Sequence, residues 1–238
     1  MDQSDRLHLE PNAYRRFRDW LSDTQRSLGR LNMGPTSGMR TDLMAADKPV
    51  IFIHNPRTGG RSLEKLLGVK RLSHAFPTDR LTEAQWLDHF VVTSIRNPFE
   101  RFLSTYYGHI LDKRPNWLVK QYGWEIKNIS PFQLLDVIRD YPRFTGSQLQ
   151  WTDFPSSTKP RADLLLRLEE VGDWETKIRA AGIHIGDRHL THVGKSKNQP
   201  DKHLDRLNMN AAEFDRLRSS VEGFFAHDYV QLGYSMGA

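Results

Sequence analysis

Apolar and polar positions along this chain switch repeatedly between two periods. Val50, Ile51, Phe52 and Ile53 form a short unbroken apolar run, the pattern of a strand covered on both faces. It passes through "HNPRTGGRS" into Leu63, Leu66 and Leu67, which recur at helical spacing. A second strand-turn-helix unit follows at residues 89–110, where a β-branched stretch ends at Arg96 and Pro98 opens a helix carrying Phe99, Phe102, Leu103 and Tyr106. Residues 162–171, "ADLLLRLEEV", predict a third buried strand ending in Glu169 and Glu170. A short helix from about Asp173 to Ala181 is stopped by Gly182. Ser130 with Pro131 predicts a helix start, and Asn210 with Glu213 a capping box ahead of Phe214, Leu217, Val221, Phe224 and Phe225.

Strands alternating with helices, each strand nearly continuously apolar, predict an α/β fold with three layers, a central parallel sheet flanked by helices. Near the N-terminus, Tyr14, Phe17, Leu21, Leu28 and Leu31 predict an amphipathic helix beginning at Pro11. The stretch "NMGPTSGMRTDLMAADK" has turn formers and no period, so it reads as a linker. Residues 1–47 are thus expected to be a helix and linker, and residues 48–238 one domain.

Composition narrows the classes. A chain of 238 residues buries one sizeable core, and the absence of cysteine removes disulfides and thiolate metal sites. No window approaches the ~18 apolar residues that cross a bilayer, and the start "MDQSDRLHLEPNAYRRF" lacks the apolar centre of a secretion signal, so a cytoplasmic protein with no membrane partner is expected. The formal net charge of +5 is compatible with an anionic ligand or nucleic acid and equally with an ordinary basic surface, so charge alone decides nothing. Its cations are scattered and carry no nucleic-acid motif, which argues against a nucleic-acid partner.

A strand that turns through glycines into a helix aims backbone N–H groups and the positive helix end at one spot beyond the sheet, a site for phosphate. Here Gly59 and Gly60 allow close approach, Thr58 and Ser62 bring hydroxyls, and Arg57 and Arg61 bring charge. The nucleotide triphosphatase pattern G-x-x-x-x-G-K-[ST] needs Gly at 55 and Lys at 61, where this chain has Asn55 and Arg61. A divergent P-loop kinase or NTPase, with Glu169 or Glu170 toward magnesium, stays open as the alternative.

The segment "FIHNPRTGGRSLEKLL" resembles the 5′-phosphosulfate loop of sulfotransferases that use 3′-phosphoadenosine 5′-phosphosulfate (PAPS), in particular the carbohydrate sulfotransferases of the heparan and chondroitin type, whose loop is written P-K-T-G-G-T-S. "VVTSIRNPFERFLSTYY" resembles the same family's 3′-phosphate motif, R-[DN]-P-x-x-R-x-x-S, in the expected order. Weaker echoes lie in "SHAFPTDRLT", "GSQLQWTD", "LLRLEEV", "THVGKSKNQ" and "FFAHDYVQLGYS"; residues 1–47 fall outside the resemblance.

The resemblance implies a P-loop-like fold and transfer of a sulfuryl group from PAPS, leaving adenosine 3′,5′-bisphosphate, to a hydroxyl of a saccharide or small-metabolite acceptor, with no metal required. Pro56, Arg57, Thr58, Gly59, Gly60, Arg61 and Ser62 would cradle the 5′-phosphosulfate. Arg96 and Ser104 would hold the 3′-phosphate, and a loop with Lys195, Ser196 and Lys197 would close over the cofactor. Arg57 stands where the family has Lys and serves as an electrostatic stabiliser, since arginine does not give up its proton. Arg61 stands where the family has Thr. The acceptor hydroxyl needs a base, and among the 10 histidines His74, in "HAF", matches the position of the catalytic histidine in relatives resembling heparan 6-O-sulfotransferases. His54 and His109 are reserves, as are the carboxylates Asp79 and Glu64. His189 and His192 read as loop histidines. Phe99, Trp117, Trp124 and Trp151 are candidates for stacking, and residues 111–160 are the expected acceptor region.

Overall fold

The computed structural model describes residues 40–69, 74–112, 115–190 and 200–237. Four strands among them form one sheet in sequential order: β1 (Arg40–Ala45), β2 (Lys48–Ile53), β3 (Phe90–Ile95) and β4 (Leu164–Arg167). β2, β3 and β4 run parallel, with Val50 opposite Phe90 and Val92 opposite Leu164. β1 runs antiparallel to β2, with Ala45 opposite Lys48. The sheet is therefore mixed and open, which corrects the wholly parallel sheet expected above, and part of the expected linker supplies its edge strand.

The cause is a two-residue hairpin. Ala46 and Asp47 have φ of 48° and 62°, and two left-handed residues give the turn whose twist matches flanking strands. Aspartate tolerates that conformation, but alanine rarely occupies it, so the turn lacks the usual Asn-Gly signature. The helix expected from Pro11 to Leu31 and the Lys195–Lys197 loop lie outside the described residues.

The principal helices are α1 (Gly60–Leu67), α2 (Pro98–Tyr106), α3 (Pro131–Asp140), α4 (Trp174–Ala180), α5 (Pro200–Leu207), α6 (Ala211–Phe224) and α7 (Ala226–Leu232), with shorter turns between them. Ser130 and Gln133 close a capping box on α3, as do Asn210 and Glu213 on α6. Gly182 sits just past α4 with φ of 76°.

Alternation along the strands decides what covers each face. Val50 and Phe52 point with Val92 and Leu166 into a cluster under α1 and α4, beside Leu63, Leu66, Trp174 and Ile178. Ile51, Ile53 and Val91 point the other way, onto Trp86, Trp151 and Phe154. A third cluster lies among α2, α3 and α6. Each fully buried leucine in these layers contributes roughly 1.5–3 kcal/mol of transfer free energy. The parallel β2, β3 and β4 end at one margin of the sheet, the side on which α/β sheets hold ligands. No helix among the described residues is long and apolar enough to cross a membrane.

Candidate active site

β2 leads through residues 54–59 into α1. Arg57 takes a left-handed φ of 68°, a conformation that costs a non-glycine residue roughly 1–3 kcal/mol and persists only where the surroundings impose it. Gly59 follows with φ of 84° as the N-cap of α1, and no side chain caps that helix. A Cβ on Gly59 would stand 2.7 Å from Leu168 and 3.0 Å from Trp174, so glycine is needed there for backbone and packing alike. The Trp174 indole is fixed by donating to the Arg167 carbonyl at 2.7 Å. α1 has no acid in its first turn to offset the positive end of its dipole.

β3 leads through Arg96 and Asn97 into α2, whose start is furnished differently. The Asn97 carboxamide oxygen accepts from Phe99 N at 3.0 Å and Glu100 N at 3.2 Å. Asn97 N in turn donates to Glu169 at 2.6 Å, and Tyr234 OH donates to the other oxygen of Glu169 at 3.1 Å. Of the two turns, only the first leaves its helix start without a side-chain cap.

The two motifs meet. Arg57 donates from Nε (3.2 Å) and Nη2 (2.9 Å) to the Ser104 hydroxyl, and from Nη2 to the Ser104 carbonyl. Arg96 is buried, with Nη2 on Glu100 at 3.2 Å. Burial, reinforced by the neighbouring charges of Arg96 and Arg61, lowers the Arg57 pKa to about 10. Arg96 is lowered by burial and held up by Glu100 and Glu169. Arg57 and Arg96 remain cationic at neutral pH, crowded and partly desolvated, an arrangement that an entering polyanion relieves.

Beneath them lies a brace that the sequence reading did not single out. Arg101 is wholly buried and donates to Pro56 O (2.9 Å), Gly146 O (2.7 Å), Thr145 O and Asn55 Oδ1 (both 3.2 Å). Burial lowers its pKa to about 10, opposed by Asp228. Gln148 ties both faces of Arg96, accepting from its N–H at 3.0 Å and donating to its carbonyl at 2.7 Å. Asp228 accepts from Gln148 N at 2.7 Å and from the Ser147 hydroxyl. The signals were present, Arg101 as the second arginine of the second motif and Gln148 and Asp228 within the weaker echoes, but no spacing rule joins residues so far apart.

The other expected residues are placed as follows. The Thr58 hydroxyl turns inward, donating to Asn55 O at 2.8 Å with Ser94 Oγ at 2.7 Å, so its side chain serves the loop. Arg61 is exposed, Ser62 half-buried, and Pro56 is held through its carbonyl. Lys195 and Ser196 lie outside the described residues. Phe99 and Trp151 are buried, stacked edge-on with Phe214 and Phe76, and belong to the core; Trp124 is exposed. Asp79 is paired with Arg143. His189 pairs with Glu175 at 3.0 Å, and no group of three His, Asp or Glu among the described residues is arranged to hold a metal ion.

Three histidines gather beside the loop after β2. His54 Nδ1 lies 2.9 Å from Glu64 Oε1, both residues buried. The exposed His74 ring stands edge-on to His54, centroids 4.5 Å apart at 85°. Two protonated rings that close would repel by roughly 4 kcal/mol at an effective dielectric of 20. His109 sits on a π-turn, Tyr107–Leu111, a feature common at functional sites. Its Nδ1 is buried without a hydrogen-bond partner, and burial, with the charges of Arg57 and Lys127, lowers its pKa to about 4. Gly108 on the same turn faces the Arg57 guanidinium.

Comparison with family models, with curated proteins and with solved structures finds no match to this chain.

Proposed function

We propose that this protein is a PAPS-dependent sulfotransferase of P-loop-like fold, acting in the cytoplasm on a hydroxyl of a saccharide or small metabolite. The observation that carries the reading is the Arg57–Ser104 contact: the two turns that resemble the 5′- and 3′-phosphate motifs sit on adjacent parallel strands and touch. A donor nucleotide with phosphate groups at both ends suits two neighbouring cationic turns better than one. The uncapped start of α1 and the crowded, desolvated Arg57 and Arg96 fit such an anion.

In this reading the donor supplies an activated sulfuryl group, and the chain supplies position, charge and one proton acceptor. Arg57, fixed by Ser104, Gly108 and its own backbone conformation, stabilises charge on the departing phosphate oxygen. Arg96 and Ser104 orient the 3′-phosphate. His74, exposed beside the loop, takes the acceptor's proton.

Calorimetry with adenosine 3′,5′-bisphosphate in the presence of a chelator tests the reading. Tight binding without metal, lost at least about 100-fold in Arg96→Ala, supports it, because the variant removes a charged donor from a desolvated site. Binding of ATP that requires magnesium, with none of the bisphosphate, would favour a kinase instead. Two positions weigh against the kinase. Asn55, where that loop needs glycine, is buried and bonded to Ser94, Gln148 and Arg101. Arg61, where it needs lysine, is exposed.

A further inference from the structure

We propose that Glu64 is the positioning residue of the base, and that His54 and His74 accept the attacking hydroxyl's proton as one unit with His74 at its exposed end. The proposal rests on the sulfotransferase reading and deepens it.

Glu64 and His54 are 6% and 8% exposed, and their side chains meet at 2.9 Å through Nδ1. A carboxylate only accepts, so it selects the neutral tautomer with the proton on Nδ1 and the lone pair on Nε2. Gly60 sets where that lone pair lies. A Cβ there would stand 2.3 Å from both Nε2 and Cδ2, so the ring rests directly on the first residue of α1, beside the anion loop. Phe52 stacks on the ring from the sheet side at 5.8 Å, and His74 closes it edge-on at 4.5 Å. The histidine pair is thereby backed by a buried carboxylate, with one ring inside and one exposed.

In the transfer step the acceptor oxygen bonds to sulfur as the bond from sulfur to the phosphate oxygen breaks. The electron pair of that bond leaves on the phosphate, and the acceptor's proton passes to the imidazole pair. Glu64 balances the positive charge so created. Among the groups facing the pair are Glu64 from α1 and, on the side of His74, His109, which is neutral with its pKa at about 4 and feels the charges of Arg57 and His74.

A bond that merely pins the loop to α1 works equally well with an uncharged partner, and Glu64→Gln separates the two roles because an amide oxygen still accepts from Nδ1–H. Nitrogen-15 NMR of the full chain is expected to show neutral His54 protonated on Nδ1. In Glu64→Gln the His54 pKa should fall by about one unit, the acidic limb of the kcat profile should move down with it, and kcat should drop at least about tenfold. Donor KM and adenosine bisphosphate affinity should stay unchanged, and Glu64→Asp should recover part of the loss. A proton on Nε2 in the wild-type chain, or a Glu64→Gln variant with unaltered His54 titration and kcat, overturns the proposal. The tautomer reading needs neither variant nor donor. Failure of the wild-type chain to bind the bisphosphate sinks the functional reading separately.

Discussion

Gly108→Ala isolates the placement of Arg57 from its presence. A Cβ at residue 108 would lie 2.5 Å from Nη2, 2.9 Å from Cζ and 3.0 Å from Nη1 of Arg57. Carbon and nitrogen need about 3.5 Å or more, so the guanidinium must retreat by roughly 1 Å. That moves Nη2, now 2.9 Å from Ser104 Oγ, out of hydrogen-bond range. For a unit charge drawn from about 3 to about 4 Å from a phosphate oxygen, the loss at an effective dielectric of 20 is roughly 1.4 kcal/mol, a tenfold effect on rate. Misplacement of a catalytic group by about 1 Å can reach 100-fold, so kcat is expected to fall about 10- to 100-fold. The clash falls on the mobile end of a side chain, and replacing glycine by alanine restricts the unfolded chain by about 0.4–1 kcal/mol, so the melting temperature should stay within a few degrees of wild type. Steady-state kinetics and thermal unfolding on the same preparations check both halves. Turnover within threefold of wild type would show that the seating of Arg57 against the π-turn is irrelevant to the reaction, and would refute this account of Gly108.

Two further outcomes follow from the same geometry. Arg57→Ala should lower kcat by about 100-fold or more while weakening product nucleotide binding much less, as measured by kinetics and calorimetry; equal losses in both would reduce Arg57 to an anchor. His109 binds its proton with a pKa of about 4 in the folded chain and about 6.5 when unfolded, so its contribution is intact above pH 6.5 and is lost as the pH falls toward 4. Urea unfolding across that window should show up to roughly 3 kcal/mol of destabilisation in the wild type that His109→Gln lacks; parallel profiles would mean that the imidazole is not desolvated.

The parts of the fold visible in the sequence are those governed by local rules. The apolar runs at Val50–Ile53 and Leu164–Leu166, the proline that opens α2 and the boxes at Ser130 and Asn210 all depend on neighbours within four residues. β1 escaped because its turn uses Ala46 in a conformation that alanine seldom takes. The loop and Arg96 were legible as motifs, whereas their support was not. A buried arginine such as Arg101 looks in sequence like any surface arginine, and its partners stand 44 to 46 residues away. Thr58 shows the opposite error, since a hydroxyl in an anion loop invites a ligand role while the fold spends it on the Asn55 carbonyl. The histidine pair depends on a contact between residues 54 and 74 that only the folded chain creates.

The Arg101 brace also governs when the site can come into being during synthesis. Its acceptors span residues 55 to 146, and Gln148 is held in turn by Asp228 in the first turn of α7. Contacts this distant in sequence close late, after the local turns have formed. A ribosome-bound chain can therefore own its glycine loop long before it owns an anion receptor. Nucleotide, when it binds, then favours only the finished molecule, which makes occupancy a reporter of complete folding.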